Sequence, residues 1–301
     1  MSWQRGLLNW YLRRFERPAL ERHPPDRIRR RFEVKSRLSF HPPRASRFRR
    51  DRLADVPVQW VTAKGALGRA VMLYFHGGAY VFGSSSTHRA MLAKLSALTG
   101  LPACLPDYRL APEHPFPAQI ADALACYRAL SDDHPVIIGG DSAGGGLALA
   151  LLAEVLRQDL PRPDAVFAFS PVTDMTFSGA SITSNADRDV VLPANSIARM
   201  TELFLAGEDP RDPRASPLFA NFAGAPPVWL TASDSELLLD DALRMHRALQ
   251  EQKVESCLRI ERNHPHVWPI FHNMLPEANR TLRFLAQWIL ERQASLLASN
   301  R

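Results

Sequence analysis

The 301-residue sequence predicts an α/β fold in which a mostly parallel central sheet is flanked by helices. From Val56 onward, short apolar runs alternate with segments of helical periodicity, the pattern of strands that helices connect into a parallel sheet. Residues 70–75 form a nearly continuous apolar run, as expected of a strand buried on both faces. A hydrophobic fraction of 46% over this length is sufficient for one large core.

The elements follow one another in a regular order. The segment 56–61 is predicted as an edge strand. Gly100 is the stop signal of the helix predicted over residues 89–99. Strands are predicted over residues 56–61, 70–75, 102–106, 135–139, 165–169, 228–231 and 256–260, and helices over 89–99, 117–130, 147–154, 240–250 and 277–297.

Two segments break the alternation. Residues 1–52 show no strand pattern and are expected to form one or two amphipathic helices, and residues 172–224 contain polar turns with one helix near 194–206. Ligands bind at the carboxyl ends of the strands in such sheets, so both segments are expected to cover a site there. We therefore divide the chain into a basic helical cap segment, 1–52, and a main domain, 53–301, with 172–224 as a partly helical cap insertion.

The net charge of +6 is distributed unevenly. Residues 1–52 contain 16 of the 37 Lys and Arg but 5 of the 31 Asp and Glu, a net +11, whereas the remainder has 21 against 26, a net −5. Such a segment is compatible with an anionic membrane or nucleic acid, but the favoured interpretation is a solvated arm that folds over a more acidic body. No nucleic-acid-binding motif accompanies the charge, so no nucleic acid partner is expected.

The cysteines and the amino terminus predict a cytoplasmic protein. Cys104, Cys126 and Cys257 are widely spaced in apolar surroundings, as reduced thiols are, and their spacing is not that of metal ligands. No apolar run reaches the roughly 18 residues of a transmembrane helix. The first residues lack a small-residue cleavage site, so no secretory signal is expected.

The segment Gly140-Asp141-Ser142-Ala143-Gly144 has the G-x-S-x-G pattern of a nucleophile elbow. It lies between the apolar run 135–139 and a segment of good helix formers, which is the strand–turn–helix context that such an elbow requires. The glycines let backbone and helix approach closely, so that Ser142 can occupy a strained turn with its hydroxyl exposed.

A second glycine-containing turn, His76-Gly77-Gly78-Ala79-Tyr80, follows the strand over 70–75 directly. Its backbone N–H groups, together with that of Ala143, can hold an oxyanion. A plain glycine turn is the alternative interpretation, and the elbow at Ser142 favours the oxyanion loop.

Ser142 requires a base and an acid, which in this fold type follow in the order nucleophile, acid, histidine. His264 and His266 both come after the last strand, and His266 is favoured because it begins a helical segment. Four carboxylates follow strand 228–231: Asp234, Glu236, Asp240 and Asp241. Spacing alone does not distinguish Asp234 from Glu236 as the acid. The last two of the four are placed to open the next helix, where carboxylates cap free N–H groups.

At these motifs the chain resembles the hormone-sensitive-lipase-like family of α/β-hydrolases, the bacterial family IV esterases. His76–Tyr80 looks like the HGGG or HGGA loop of that family, and Gly140–Gly145 looks like its GDSAGG elbow. Residues 107–118, DYRLAPEHPFPA, are similar to the block between them. The resemblance covers about residues 53–295 and implies an α/β-hydrolase fold with a helical cap formed by 1–52 and 172–224.

The resemblance also implies residue roles. It makes Ser142 the nucleophile and His266 the base, and it makes Gly77, Gly78 and Ala143 the oxyanion-hole donors. The acid block of the family, G-x-x-D-x-L-x-D, puts Glu236 rather than Asp234 in the catalytic place, where the family more often has Asp. The histidine loop, Arg262–His266, departs from the Gly-Met that the family often carries there.

The implied function is a serine carboxylesterase that hydrolyses small-molecule esters of short- to medium-chain acids through an acyl-enzyme, without cofactor or metal. The alternatives are an amidase or deacetylase of a small acylated metabolite, which uses the same triad, and a binding protein on this scaffold such as the plant gibberellin receptor. That receptor lacks a working histidine, so His266 argues against the last.

Two further partners are compatible with the sequence. The basic arm could bring an esterase to anionic lipid, and the resembled family commonly forms homodimers through the last strand or helix. The apolar residues of the cap are expected to pack against the body rather than to contact substrate: Trp3, Leu7, Leu8, Trp10, Tyr11, Met175, Phe177, Met200 and Phe204.

Overall fold

A computed structural model describes residues 2–299 of the chain. Its central sheet has eight strands in the order β1-β2-β4-β3-β5-β6-β7-β8, where β2 pairs antiparallel with β1 and β4 and the other pairs are parallel. The strands are β1 (Arg47–Leu53), β2 (Val56–Thr62), β3 (Val71–Phe75), β4 (Ala103–Pro106), β5 (Val136–Asp141), β6 (Ala165–Phe169), β7 (Val228–Ser233) and β8 (Ser256–Glu261). The predicted mostly parallel sheet is confirmed.

The described residues form helices on both faces of this sheet and further helices in the two cap segments. They are α1 (Trp3–Tyr11), α2 (Arg17–Arg22), α3 (Pro25–Ser39), α4 (Ser85–Thr99), α5 (Ala118–Ser131), α6 (Ala143–Arg157), α7 (Ser181–Ser184), α8 (Ile197–Leu205), α9 (Leu239–Glu251) and α10 (Pro276–Ser299). A π-helical turn, Leu12–Glu16, joins α1 to α2, and short 3₁₀ turns cover Ala194–Ser196, Pro217–Phe219 and Trp268–Phe271.

Strand β3 shows how the two layers are divided. Its odd-numbered residues pack with α5, α6 and α9 on one face, and Met72 and Tyr74 pack with α4 and α10 on the other. Because successive side chains of a strand point to opposite faces, both sets must be apolar when both faces are covered. This is why residues 70–75 form an unbroken apolar run.

Strand β1 lies where the sequence predicts no strand, so the interpretation of residues 1–52 as entirely helical is wrong. It pairs along its whole length with β2, which is therefore not the edge of the sheet. The hairpin turns at Ala54 and Asp55, which both have positive φ, as a tight two-residue turn requires. Most of the β1 side chains are charged and exposed, so the sequence shows no apolar alternation there. The predicted boundary between the cap segment and the main domain, at residues 52 and 53, falls inside β1.

The parallel strands end at the same edge, and the motifs follow them there. The elbow begins at the last residues of β5, the histidine–glycine loop follows β3, and the acidic and histidine loops follow β7 and β8. Residues 172–224 and the helices α1 to α3 contribute walls to a cavity of about 750 Å³ above this edge. Leu8 and Leu12 fix the amino-terminal arm by packing against the body around Trp268.

Two observations concern the wider properties of the chain. Among residues 2–299, none of the helices is both long and apolar enough to cross a membrane. The three cysteines are free thiols, and Cys104 and Cys126 are buried while Cys257 is half-buried.

Candidate active site

The elbow holds Ser142 in a strained backbone conformation between β5 and α6, with φ of 53° and ψ of −122°. The turn is possible because its glycines lack side chains: a Cβ on Gly140 would lie 2.1 Å from the Gly144 carbonyl oxygen, and one on Gly144 would lie 2.1 Å from the Phe75 carbonyl oxygen. The strain therefore places the Ser142 side chain on the wall of the cavity.

Ser142, His266 and Glu236 form one chain of hydrogen bonds. The Ser142 Oγ lies 2.9 Å from His266 Nε2, and His266 Nδ1 lies 2.7 Å from Glu236 Oε2. The other carboxylate oxygen of Glu236 accepts a hydrogen bond of 2.8 Å from the backbone N–H of Ser233. A serine hydroxyl, an imidazole and a carboxylate in this order can generate a nucleophilic alkoxide.

The other three carboxylates of the acidic segment bind elsewhere. Asp234 accepts a hydrogen bond of 2.7 Å from the Asn263 N–H. Asp240 and Asp241 lie in the first turn of α9, as expected, but their side chains accept hydrogen bonds from Ser181 and Thr173 of the cap insertion. Of the four carboxylates, Glu236 is the one that contacts His266.

His264 has a different environment from His266. Its Nδ1 lies 2.7 Å from the Arg262 carbonyl oxygen, and its ring packs against Trp268 with a centroid separation of 5.1 Å. Burial lowers the pKa of His264 below the ordinary value for histidine. These contacts fit a histidine that shapes the loop.

The pKa of His266 is shifted in the opposite direction. Burial by itself lowers it, but the hydrogen bond and charge of Glu236, with the more distant charges of Asp189 and Asp141, outweigh burial and raise the pKa above the ordinary value. The same carboxylate thus fixes the ring and makes its imidazolium form more stable.

The structure changes one expectation about the oxyanion loop. The N–H of Gly77 donates to Asp141 Oδ1 over 3.1 Å, so it is engaged inside the protein and is not available to a substrate. Gly78, Ala79 and Ala143 line the cavity beside Ser142. The sequence gives no sign that the turn continues through Ala79, because Ala79 is not a glycine and yet adopts a positive φ of 54°.

Asp141, inside the elbow, holds the loop His76–Tyr80 in place by a hydrogen bond. Its Oδ1 accepts hydrogen bonds from the Tyr74 hydroxyl at 2.7 Å and from Gly77, and the His88 Nε2 lies 3.3 Å away. Burial by itself raises the pKa of Asp141, but His88, Tyr74 and His76 outweigh it and lower that pKa. A buried carboxylate thus joins the elbow to the turn after β3.

The cap insertion supports the acidic loop. The side-chain amide of Asn185 donates to the Glu236 carbonyl oxygen over 2.9 Å, and Asp189 Oδ2 accepts from the Leu237 N–H over 2.9 Å. The other oxygen of Asp189 accepts from Val191 and Leu192 of its own loop. Sequence reasoning missed both residues because they lie in an irregular segment without periodicity.

Arginines of the amino-terminal arm bind backbone carbonyls of the neighbouring loops. Arg17 donates to the Ala186 carbonyl over 2.6 Å, and Arg13 donates to the Asp187 carbonyl over 2.7 Å. Both carbonyls belong to the segment between Asn185 and Asp189. Arg5 donates to the Arg262 carbonyl over 2.9 Å in the histidine loop. Part of the positive charge of the arm is therefore used within the chain.

The residues that the structure describes contain no group of histidine, cysteine, aspartate and glutamate arranged to hold a metal ion.

Comparisons with known proteins show the family to which the chain belongs. Residues 72–270 match a family with the alpha/beta hydrolase fold. An acetyl-hydrolase of Streptomyces hygroscopicus is 36% identical over 228 residues, which cover 74% of this chain and 76% of that protein. Crystals of EstE5 soaked with p-nitrophenyl butyrate have the same fold, with a TM-score of 0.92 and 36% identity over 98% of this chain and 100% of that one.

A further solved structure decides the subfamily. An esterase from the bacterial hormone-sensitive lipase family has a TM-score of 0.92 and 35% identity over 97% of this chain and 99% of that one. The chain belongs to the hormone-sensitive-lipase-like esterases of the α/β-hydrolase fold. It is a carboxylic ester hydrolase, and the resemblance and the fold expected from the three motifs are confirmed. In this esterase the matched family region contains the elbow, the loop His76–Tyr80, Glu236 and His266.

Proposed function

We propose that this esterase hydrolyses short- to medium-chain acyl esters with Ser142 as nucleophile, His266 as general base and Glu236 as the acid of the triad. The observation that carries the proposal is the hydrogen-bonded chain from Ser142 Oγ through both ring nitrogens of His266 to Glu236. Ser142 Oγ attacks the ester carbonyl while His266 takes its proton, and Glu236 stabilises the imidazolium that forms.

The collapse of the tetrahedral intermediate completes the first half of the reaction. His266 returns the proton to the leaving alkoxide, the C–O bond breaks, and an acyl-Ser142 ester remains. Water then attacks this ester with His266 again as base, which releases the carboxylic acid and restores Ser142. Water is the one co-reactant that these steps require.

The negative oxygen of the intermediate needs donors, and we assign them to the N–H groups of Gly78, Ala79 and Ala143. These residues line the cavity beside Ser142; Gly77 lines it as well, but its N–H donates to Asp141. Each such donor contributes about 3 kcal/mol to stabilisation of the transition state.

The cavity supports substrates with a modest acyl chain. Its volume of about 750 Å³ is in the range of small-molecule sites, and most of its wall is apolar. Residues on the wall from the cap and neighbouring loops include Val172, Met175, Leu192, Ile197, Met200 and Ile270. The names of two similar proteins, an acetyl-hydrolase and an esterase soaked with p-nitrophenyl butyrate, point to the same chain lengths.

The proposal is tested by hydrolysis of p-nitrophenyl esters from acetate to palmitate by the wild type and by Ser142→Ala. We expect a maximum at short or medium chains and a loss of at least about 10⁴-fold in kcat for Ser142→Ala. Full activity of that variant would overturn the mechanism. Hydrolysis of acyl anilides with no activity on any ester, from a folded protein, would support the amidase alternative instead.

A further inference from the structure

The exposed side of α1 is more apolar than a solvated helix requires. Trp3, Leu7 and Trp10 are 75%, 58% and 59% exposed, and their spacing of four and three residues places them on one face. The opposite face is buried by Leu8 and Leu12 against the body. The expectation that Trp3, Leu7 and Trp10 pack against the body is therefore wrong.

This apolar surface is concentrated in the amino-terminal arm. Of the 15 large hydrophobic residues exposed within residues 2–299, seven lie between residues 3 and 38: Trp3, Leu7, Trp10, Tyr11, Phe15, Val34 and Leu38. Scattered single hydrophobic residues need no explanation, but seven on one short arm indicate an interaction surface. We call these seven residues the arm face.

The part of the arm face that belongs to α1 lies at the active-site cavity. Trp3, Leu7, Trp10 and Tyr11 line the same cavity as Ser142. Helix α3 is joined to α1 there, because the Lys35 ammonium donates to the Tyr11 hydroxyl over 3.2 Å and pairs with Glu16. The α1 residues of the arm face thus adjoin the site of the reaction.

The charge around the arm face is predominantly positive. The arm segment of residues 1–52 has a net charge of +11. Exposed arginines accompany the apolar residues, with Arg14 beside the Phe15 ring at 5.4 Å and Arg27, Arg30 and Arg37 on the helix that carries Val34 and Leu38. Exposed tryptophan, leucine and tyrosine combined with arginine on amphipathic helices is the composition that binds the interface of anionic lipids.

We propose that the arm face binds the surface of anionic lipid aggregates, with its aromatic and aliphatic side chains at the headgroup level and its arginines on the anionic headgroups. The cavity mouth then opens onto the lipid, so that esters of low water solubility enter the site without crossing water. The proposed lipid binding does not depend on the proposed function. The delivery of esters to the site rests on the proposed function. A second copy of the chain is the competing occupant, but two arms of +11 each repel one another.

The test measures co-sedimentation with vesicles of phosphatidylglycerol and phosphatidylcholine, against vesicles of phosphatidylcholine alone. We expect binding to the anionic vesicles that weakens as salt is raised to about 0.5 M. The triple variant Trp3→Ser/Leu7→Ser/Trp10→Ser should bind at least about tenfold more weakly. A matched control, Leu243→Ser/Phe284→Ser, removes exposed apolar residues from the main domain and should bind as the wild type does.

A second variant keeps the result independent of the cavity. Val34→Ser/Leu38→Ser lies outside the cavity lining and should weaken vesicle binding while leaving hydrolysis of p-nitrophenyl acetate unchanged. Failure of the wild type to bind anionic vesicles, or equal binding by the triple variant, overturns the proposal. So does light scattering that shows a dimer in the wild type and a monomer in the triple variant, since the arm face is then covered by a second copy. These readouts use binding and mass, so they can fail while the esterase activity stands.

Discussion

Asp189 accepts a hydrogen bond of 2.9 Å from the backbone N–H of Leu237, the residue that follows Glu236. Asp189 belongs to the cap insertion and Glu236 to the loop after β7, so this hydrogen bond connects the cap insertion to the loop that carries Glu236. Asn185 adds a second bond, to the carbonyl oxygen of Glu236 itself. The cap is therefore part of the scaffold that orients the acid.

Replacement of Asp189 by Asn should lower kcat by about 10- to 100-fold, because an amide nitrogen facing the Leu237 N–H would displace the acidic loop. The loss of a negative charge near His266 should also lower the pKa of that histidine, so the acid limb of kcat/KM moves to lower pH. Both effects are read from a pH–rate profile. Asp187→Asn, an exposed change on the same loop, is the control, and equal profiles for the two variants would contradict the role given to Asp189.

Glu236→Gln should cost about 10³- to 10⁴-fold in kcat, since the amide cannot stabilise the imidazolium. Glu236→Asp restores the charge but shortens the side chain by one methylene, which breaks the 2.7 Å contact with His266 Nδ1. We expect kcat of the Asp variant to lie between those of the wild type and Glu236→Gln. Steady-state kinetics on one p-nitrophenyl ester decide this, and wild-type kcat in the Asp variant would show that the longer side chain is not needed.

The pH dependence of the wild type follows from His266. The base must be neutral, and its pKa is raised above the ordinary histidine value of about 6.5. Activity should therefore fall on acidification with a midpoint above that value, and Glu236→Gln, which removes the raising charge, should shift the midpoint downward. A wild-type midpoint clearly below 6 would be incompatible with the Glu236 contact.

Asp141→Asn should loosen the oxyanion loop. Its Oδ1 accepts from the Tyr74 hydroxyl and the Gly77 N–H, and an amide in the reversed orientation would present donors to both. We expect a fall in kcat of about 10- to 100-fold with a smaller change in KM, because the donors proposed at Gly78 and Ala79 would serve the transition state more than substrate binding. Asp132→Asn, on the surface at the end of α5, is the matched control. A change confined to KM would place the effect in substrate binding instead.

The double variant Arg13→Met/Arg17→Met should reduce kcat by about tenfold, since it removes the donors that bind the carbonyls of Ala186 and Asp187. The methionines keep the apolar stem, so packing changes little. Arg14→Met and Arg22→Met, exposed on the same arm, should leave kcat unchanged. A double variant as active as these controls would separate the arm from the acidic loop.

The sequence predicts the parallel strands and the position of the motifs well because both depend on local pattern. An apolar run such as 71–75 has few alternatives to a buried strand, and glycine at 140 and 144 leaves few alternatives to a tight elbow. The choice of Glu236 over Asp234 came from the resemblance, and the structure places Glu236 at His266. In these cases a few adjacent residues contain the information.

The failures have a common physical origin in contacts between distant segments. Strand β1 is held by its pairing with β2, not by apolar side chains of its own. The N–H of Gly77 is occupied by a carboxylate 64 residues away, and Asp189 reaches Leu237 across 48 residues. No periodicity within the sequence records such contacts.

The two ends of the sheet differ as templates for another chain. Five of the seven residues of β1 are charged, so this edge presents a row of arginines that discourages a further strand from adding to it. At the other end, β8 carries Cys257, Leu258 and Ile260 with half-buried or exposed side chains. The two edges of the sheet therefore differ in their capacity to pair with another strand. A second copy of the chain that extended the sheet would have to add its strand beside β8, at the end opposite β1.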